Sequence, residues 1–400
     1  MNTRSDFTFK HNLERGRHGW LRLTPAYSIK VVHQILDEHP EIKYVLDPFS
    51  GTGTTGLVCG ERGLKSDSID INPFLVWFNK TKTSNYSQAQ ILEAKENLST
   101  VVAKLKKTEG NNLWLTPISN IDRWWTQDKR NLLARIYKAI NDSLVEHSSA
   151  KDLLLVAFCR SIVQWSNVAF NHQSMSFKKP DNTLSDYHEE KLVAEFINTA
   201  AKIIDTATQT IKGDINIIHA DSRYVPKPEN DQYDCVITSP PYPNRMSYIR
   251  ELRPYMYWLE YLKDARGAGE LDWKAIGGTW GIATSLVGKW QPPGTSINYL
   301  GFAAMISAIA ERSPVLANYV HKYFIDIALH IKSLFPHVAS GGKVFYIVGN
   351  SKFYDTLVPV QELYASILES AGFTKPKVTV LRKRNSKKEL YEFMVDAEKS

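Results

Sequence analysis

Short apolar runs closed by turn residues alternate along this chain with stretches of helical periodicity. Lys43-Tyr44-Val45-Leu46 is the first run; Asp47-Pro48 ends it, and the small-residue loop FSGTGTTG leads into the apolar stretch that starts at Leu57. That order reads as strand, glycine loop, helix. Further strands are predicted over 66–71, 216–219, 233–237 and, after the turn residues Gly341-Gly342, over 343–348. The stretches 377–381 and 390–395 pair as a terminal antiparallel hairpin. Strands alternating with helices imply an α/β fold with a mainly parallel sheet covered on both faces.

Two stretches break that rhythm. Between 81 and 213, Ile91, Leu92, Leu98, Val101, Val102 and Leu105 form one helical stripe and Leu132, Leu133, Ile136 and Ile140 another, which predicts a helical insertion. Between 263 and 313 the chain is rich in Gly, Trp and Pro with poor periodicity, which predicts a long ordered loop or lid. The chain thus divides into core 1–80, helical insertion 81–213, core 214–262, loop insertion 263–313 and core 314–400.

With 400 residues, 43% hydrophobic and 23% charged, a disordered or collagen-like chain is excluded. Cys59, Cys159 and Cys235 are too few for a disulfide framework and lack zinc-site spacing, and the histidines show no ligand spacing, so no metal is expected. The apolar stretch 153–170 is broken by Arg160, Gln164 and Asn167, which fits a buried helix better than a membrane span. The first residues lack an apolar run with a cleavage site, and a cytoplasmic location is expected. A formal charge of +7 favours a polyanionic partner without identifying one.

Gly51, Gly53 and Gly56 satisfy GxGxxG between a strand and a helix, and Asp70 ends the next strand, so the formal dinucleotide fingerprint is present. Asp47 argues against that cofactor, because a carboxylate at the end of the first strand repels a pyrophosphate. The same carboxylate suits the ammonium and sulfonium of S-adenosylmethionine, while Asp70 can accept ribose hydroxyls. Thr238-Ser239-Pro240-Pro241-Tyr242 follows another apolar strand and sets a rigid polar tip at the sheet edge where open α/β folds bind ligands.

On TSPPY and LDPFSGTGTT the chain resembles the DNA amino-methyltransferases, whose catalytic motif is (Asp/Asn/Ser)-Pro-Pro-(Tyr/Phe). HGWLRLTPAYS (18–28) and HADSRYVP look like cofactor segments of that family, and RELRPYMYWL, GGKVFYIVGNS and RKRNSKKELYEFMV like its later segments. The resemblance implies a Rossmann-like class I methyltransferase sheet, mainly parallel with the terminal hairpin, and S-adenosylmethionine as cofactor. Thr24, Asp47, Pro48, Phe49, Gly51, Gly53, Thr54, Thr55, Asp70, Asp221 and Ser222 would hold it, Asp221 taking the adenine amine. It further implies direct transfer of methyl to an exocyclic amine, with Ser239, Pro240, Pro241 and Tyr242 catalytic. Hydrogen bonds to Ser239 and the Pro240 carbonyl would aim the nitrogen lone pair, and Tyr242 would stack on a base swung out of the duplex.

Serine at the first motif position is, in that family, the usual mark of cytosine N4 methylation. Adenine N6 methylation in DNA, amine methylation in RNA, and a catalytically silent nucleic-acid-binding subunit remain as alternatives. Double-stranded DNA is the expected partner, together with a cognate restriction endonuclease and no membrane. Target selection is expected in the helical insertion, where Asn171 and Gln173 can read base edges while Lys178 and Lys179 hold phosphates. Arg245, Tyr248 and Arg250 follow TSPPY closely enough to line the same mouth, and 263–313 competes as the reading element. Trp124-Trp125 reads as packing, and the basic run 382–388 either grips phosphate or is solvated.

Overall fold

A computed structural model describes residues 8–21, 26–106, 113–169, 176–177, 188–229, 231–294, 297–384 and 390–400. Its main sheet contains β1 (Tyr44–Asp47), β2 (Lys65–Asp70), β3 (Ile215–His219), β4 (Tyr233–Thr238), β5 (Val338–Gly349), β6 (Phe373–Lys383) and β7 (Tyr391–Lys399). Read across the sheet the order is β3-β2-β1-β4-β5-β7-β6, parallel except for β7, which runs antiparallel to both neighbours. This is the class I methyltransferase order. β1 and β4 run parallel, but the chain winds outward in one direction from β1 and in the other from β4, so the loops after these two strands open a crevice at the switch point.

The helices are α1 (Ile29–Glu38), α2 (Thr54–Glu61), α3 (Pro73–Thr83), α4 (Gln88–Leu105), α5 (Gln127–Asn141), α6 (Ser149–Gln164) and α7 (Glu189–Ala207). After β4 follow α8 (Tyr248–Trp258), α9 (Ala265–Lys274), α10 (Ile282–Lys289), α11 (Phe302–Ala310) and α12 (Pro314–Leu334), and α13 (Val360–Ala371) precedes the hairpin. Each central strand is closed on both faces: all four residues of β1 are buried. That is why its sequence reads as an unbroken apolar run rather than an alternation.

Between β2 and β3 the chain builds the predicted helical layer. Ile91, Leu98, Val101 and Leu105 of α4 and Leu132, Leu133, Ile136 and Ile140 of α5 share one core, while Leu92 is exposed. Trp124 and Trp125 are buried in that core, and Trp125 Nε1 donates to the Ile162 carbonyl at 2.8 Å, as the packing reading expects. Tyr255 and Trp258 of α8 belong to the same core, so the segment after TSPPY is packed on the insertion.

The two ends of this layer are stapled together. Arg17 is wholly buried, and its guanidinium donates to the carbonyls of Lys82 (3.0 Å) and Ser84 (2.5 Å) on one side and of Thr206 (3.3 Å), Ala207 (2.6 Å) and Gln209 (2.6 Å) on the other. These carbonyls end α3 and α7, where the helix dipole is negative and a cation is favoured. Asn85 adds a reciprocal pair with the Ile211 backbone, at 2.9 and 2.8 Å.

Two expectations are corrected. The 263–313 segment is not an irregular loop: α9, α10 and α11 occupy most of it. Asp264 caps α9 by accepting from the Gly267 amide at 2.7 Å, and Gly281 and Gly301 begin the other two helices at positive φ. Gly341-Gly342 is not a turn ahead of the fifth strand but a bulge inside it. Tyr233 pairs with Val338 and Cys235 with Lys343, so β5 accommodates extra residues there, with Gly341 at φ 77°.

Candidate active site

The crevice above β1 and β4 encloses about 910 Å³ of empty space, its open mouth included. The loop after β1 forms its floor. Gly51 and Gly53 hold positive φ of 51° and 70°, conformations that glycine adopts at no steric cost, and Gly53 starts α2. Helix α3 fixes this loop from behind. Asn79 Nδ2 donates to Ser50 Oγ at 3.1 Å and to the Gly51 carbonyl at 3.0 Å, and Lys82 Nζ donates to the Thr52 carbonyl at 2.6 Å. Burial pulls the Lys82 ammonium down to about 7.

Asp70, at the end of β2, lines the crevice. Its carboxylate accepts the Gly51 amide at 3.0 Å and the Asn72 amide at 2.8 Å, so it shapes the glycine loop as well as facing the cavity. Burial pushes its carboxyl up to about 7, against the two amides, which favour the charged form. Asp221 and Ser222, just beyond β3, line it too. The Ser222 hydroxyl donates to the Pro48 carbonyl, and Asp221 is ion-paired with Arg223 at 2.6 Å. Arg223 in turn meets Asp326 at 3.4 Å, which Lys322 neutralises at 2.6 Å.

TSPPY stands at the tip of β4. The Thr238 hydroxyl donates to Asp47 Oδ1 at 2.6 Å, which locks the tips of β1 and β4 together. Helix α12 holds the rest of the turn through two tyrosines: Tyr323 donates to the Pro241 carbonyl at 2.8 Å, and the Tyr319 hydroxyl accepts the Arg245 amide at 3.2 Å. Ser239 and Pro241 face the crevice. The Ser239 and Tyr242 hydroxyls are 3.4 Å apart.

The structure brings Pro48, Phe49, Gly51, Thr54, Asp70, Asp221, Ser222, Ser239 and Pro241 onto one crevice wall. Asp47, Gly53 and Thr55 lie beneath it. Asp47 has no exposed surface, so the cation contact expected of it is not a direct one on the wall. Burial pushes its carboxyl up to about 6, and Asp47 Oδ2 is buried with no hydrogen bond. Tyr242 also points away from the cavity. Its hydroxyl donates to Glu392 Oε1 at 3.0 Å, and its ring lies against Gly349, where a Cβ would come within 2.9 Å of the ring. Pro240 is buried at the turn. Thr24, Asn171, Gln173, Lys178 and Lys179 lie outside the described residues. Arg250 and Arg245 line a second cleft beside the first.

Tyr248 lines the crevice, as its place after TSPPY leads one to expect, whereas sequence reasoning missed Asn72, Leu252 and Lys274–Ile276, which line it too. Asn72 carried a local signal, since it caps α3 by accepting from the Phe74 amide at 3.0 Å immediately before Pro73. Leu252 and 274–276 carried none, because only the packing of α8 and α9 delivers them.

No family model matches the chain. Among curated relatives, the type II methyltransferase M.AvaI of Nostoc sp. (strain PCC 7120 / SAG 25.82 / UTEX 2576) is 23% identical over 416 residues, covering 95% of this chain and 83% of its own length. The type II methyltransferase M.BsoBI of Geobacillus stearothermophilus is 24% identical over 445 residues, covering 94% and 82%. Among solved structures, TrmN from Thermus thermophilus aligns over 99% of this chain and 53% of its own, at 12% identity and a TM-score of 0.31. A structural likeness that weak adds nothing to the strand order. The similarity to these type II methyltransferases therefore extends along nearly the whole chain.

Proposed function

We propose that this chain is an S-adenosylmethionine-dependent DNA methyltransferase of a restriction-modification system, acting on the exocyclic N4 amine of cytosine. The observation that carries the reading is that Ser239 opens onto the same crevice as the glycine loop, Asp70 and Asp221. A methyl donor and an amine acceptor bound there would meet within one cavity.

The wall fits the donor. Asp70 and Asp221 present carboxylate oxygens suited to hydroxyls and amines, and a third carboxylate oxygen, Asp47 Oδ2, lies unsatisfied beneath the floor. A pyrophosphate would be repelled by this set, whereas a ligand with cationic groups and a ribose is favoured. When bound, adenosylmethionine supplies an electrophilic methyl group.

The chain's own residues supply position and polarity. The Ser239 hydroxyl, only loosely engaged by Tyr242 at 3.4 Å, keeps lone pairs with which to accept from an amine. With the Pro240 carbonyl it withdraws the amine nitrogen's lone pair from conjugation and turns it toward the donor. The turn is rigid, because the Tyr323 hydroxyl and the Thr238–Asp47 bond hold it at both ends. Rigidity keeps the acceptor near its reactive geometry, the main source of rate in a reaction without a covalent intermediate. Tyr242 closes the far side of Ser239 together with Glu392 and Arg384, whose guanidinium lies 5.8 Å from the ring.

Serine in the motif favours cytosine; adenine N6 is the second reading. The test is to incubate the protein with labelled adenosylmethionine and duplex DNA, digest to nucleosides and identify the product by mass spectrometry. N4-methylcytosine is expected. N6-methyladenine would replace the base, and no labelled nucleoside from any duplex would remove the function. Among the described residues no helix is long and apolar enough to cross a membrane, and no cluster could hold a metal ion.

A further inference from the structure

The two segments that compete for target recognition meet on one wall beside the crevice. Helix α8 presents Tyr248, Ile249 and Leu252 to the cavity. Arg250 and Arg253 lie one turn apart along its adjoining face. The Arg253 guanidinium sits between two indoles, 4.9 Å from the ring of Trp124 in the helical insertion and 5.1 Å from that of Trp280 in the 263–313 segment. Arg123 follows on the insertion side, 4.5 Å over Phe177. On the other side Arg245 and Arg250, with Thr279, Trp280 and Tyr319, line a cleft with about 920 Å³ of empty space, its open mouth included.

The cleft is built rather than incidental. Asp272 is buried and joins its two sides, accepting the Ser247 hydroxyl at 2.5 Å and the Trp280 amide at 2.6 Å. Ser247 is the cap of α8, accepting from the Arg250 amide at 3.0 Å. Gly278 is obligatory beside it, since a Cβ there would fall 1.7 Å from the Asp272 carbonyl oxygen. Arg245 is held at φ 64°, a strained value for a residue with a side chain.

The carboxylates near this wall are Asp272, engaged by Ser247 and Trp280, and Glu251, which follows Arg250 on α8 and acts on Arg253 through space. Among the described residues no carboxylate forms an ion pair with Arg123, Arg245, Arg250 or Arg253. Arg250 Nε and Arg253 Nε are buried with no hydrogen bond. Burial, and then the nearby Arg250, pull the Arg253 guanidinium down to about 10. Gathering like charges on a half-buried surface is unfavourable unless an anion completes it. Guanidinium groups match phosphate oxygens in geometry as well as charge.

We propose that Arg250 and Arg253, flanked by Arg245 and Arg123, form a track for the phosphodiester backbone of duplex DNA, gripping the strand beside the nucleotide that enters the crevice. This rests on the methyltransferase reading, because a polymer with one unit at Ser239 must run its neighbouring phosphates along the adjoining wall. The track gives both candidate recognition segments a fixed position on the same strand, since Arg253 is clamped by a tryptophan from each.

The test is duplex binding by fluorescence anisotropy across a salt series, with wild type, Arg250→Gln, Arg253→Gln and Arg253→Lys. Each glutamine variant is expected to weaken binding about ten- to a hundredfold on all sequences alike and to lower the slope of log K against log salt by about 0.9. Arg253→Lys keeps the charge and should keep the slope. Thermal melts check that each variant is folded; Arg250 is not clamped between tryptophans, so its variant carries the test if Arg253→Gln is unstable. Unchanged slopes in both glutamine variants, alongside a wild type that methylates DNA, would overturn the track alone. A slope loss confined to duplex RNA would overturn the assignment to DNA. A wild type that methylates no duplex brings down the underlying reading and the track with it.

Discussion

Replacing Gly53 with alanine tests how the glycine loop is held. Gly53 sits at φ 70°, ψ 41°, and a Cβ built there falls 2.2 Å from Asn79 Oδ1. The left-handed conformation costs an alanine about 1–2 kcal/mol. The clash costs more, because Asn79 must move, and its amide holds both Ser50 Oγ and the Gly51 carbonyl. Each of those bonds contributes about 0.5–1.5 kcal/mol. Gly53→Ala should therefore lose about 2–5 kcal/mol, divided between fold stability and adenosylmethionine affinity according to whether the loop yields. Asn79→Ala alone should lose about 1–3 kcal/mol. In the Asn79→Ala background the clash is gone, so Gly53→Ala should add only the backbone cost. Calorimetric titration with adenosylmethionine and thermal melts on the four proteins of this cycle measure the two parts. Additive losses, or a Gly53→Ala protein with wild-type affinity and melting temperature, would refute the account of the loop.

Ser239→Ala should leave cofactor affinity nearly intact and depress turnover by on the order of a hundredfold, read as single-turnover methyl transfer; an unaltered rate would move the chemistry away from TSPPY. Adenosylmethionine affinity should rise about tenfold from pH 6 to pH 8, because the charged Asp70 carboxylate is the better acceptor and its pKa is raised to about 7. Fold stability should move the other way. A raised carboxyl pKa means that the folded state keeps a proton the unfolded chain loses near pH 4, so the contribution of Asp70 falls as pH rises toward 7. Asp70→Asn should bind more weakly at pH 8 and lose that part of the pH dependence, and an identical pH profile in the variant would disprove the assignment. Arg17→Met should leave five backbone carbonyls without their buried donor and destabilise the protein by about 3–5 kcal/mol, seen as a marked fall in melting temperature; an unchanged transition would mean that the staple is idle.

The centre of the sheet was readable because β1 and β4 are short, mainly apolar runs that end on a polar residue, whereas β2, KSDSID, has a single apolar residue and was marked by the turn residues that follow it. The helices of 263–313 were not, since they are only 8 to 10 residues long and their glycines and tryptophans are placed by contacts with α8 and α12 rather than by local periodicity. Gly341-Gly342 looked like a turn because nothing local reveals that β4 pairs on both sides of it. For the site, charge was legible and depth was not. Asp47 was identifiable as a carboxylate at a strand end, yet its burial follows from the Thr238 hydroxyl, 191 positions away. The direction of Tyr242 is set by Glu392, 150 positions away, and by the absence of a side chain at Gly349.

The staple at Arg17 has a bearing on how such a chain can diversify. The helical layer leaves the sheet near Lys82 and returns near Ile211, and Arg17 and Asn85 fasten those two points to each other. The sheet therefore meets the layer through a fixed pair of neighbouring strands of backbone, whatever lies between them. Closing a longer or shorter excursion costs little, about 0.6 kcal/mol for each doubling of length. One buried guanidinium, bonded only to main-chain oxygens and so indifferent to the side chains there, makes the layer an interchangeable part: a different set of helices could be spliced between the same two points while the crevice kept its shape.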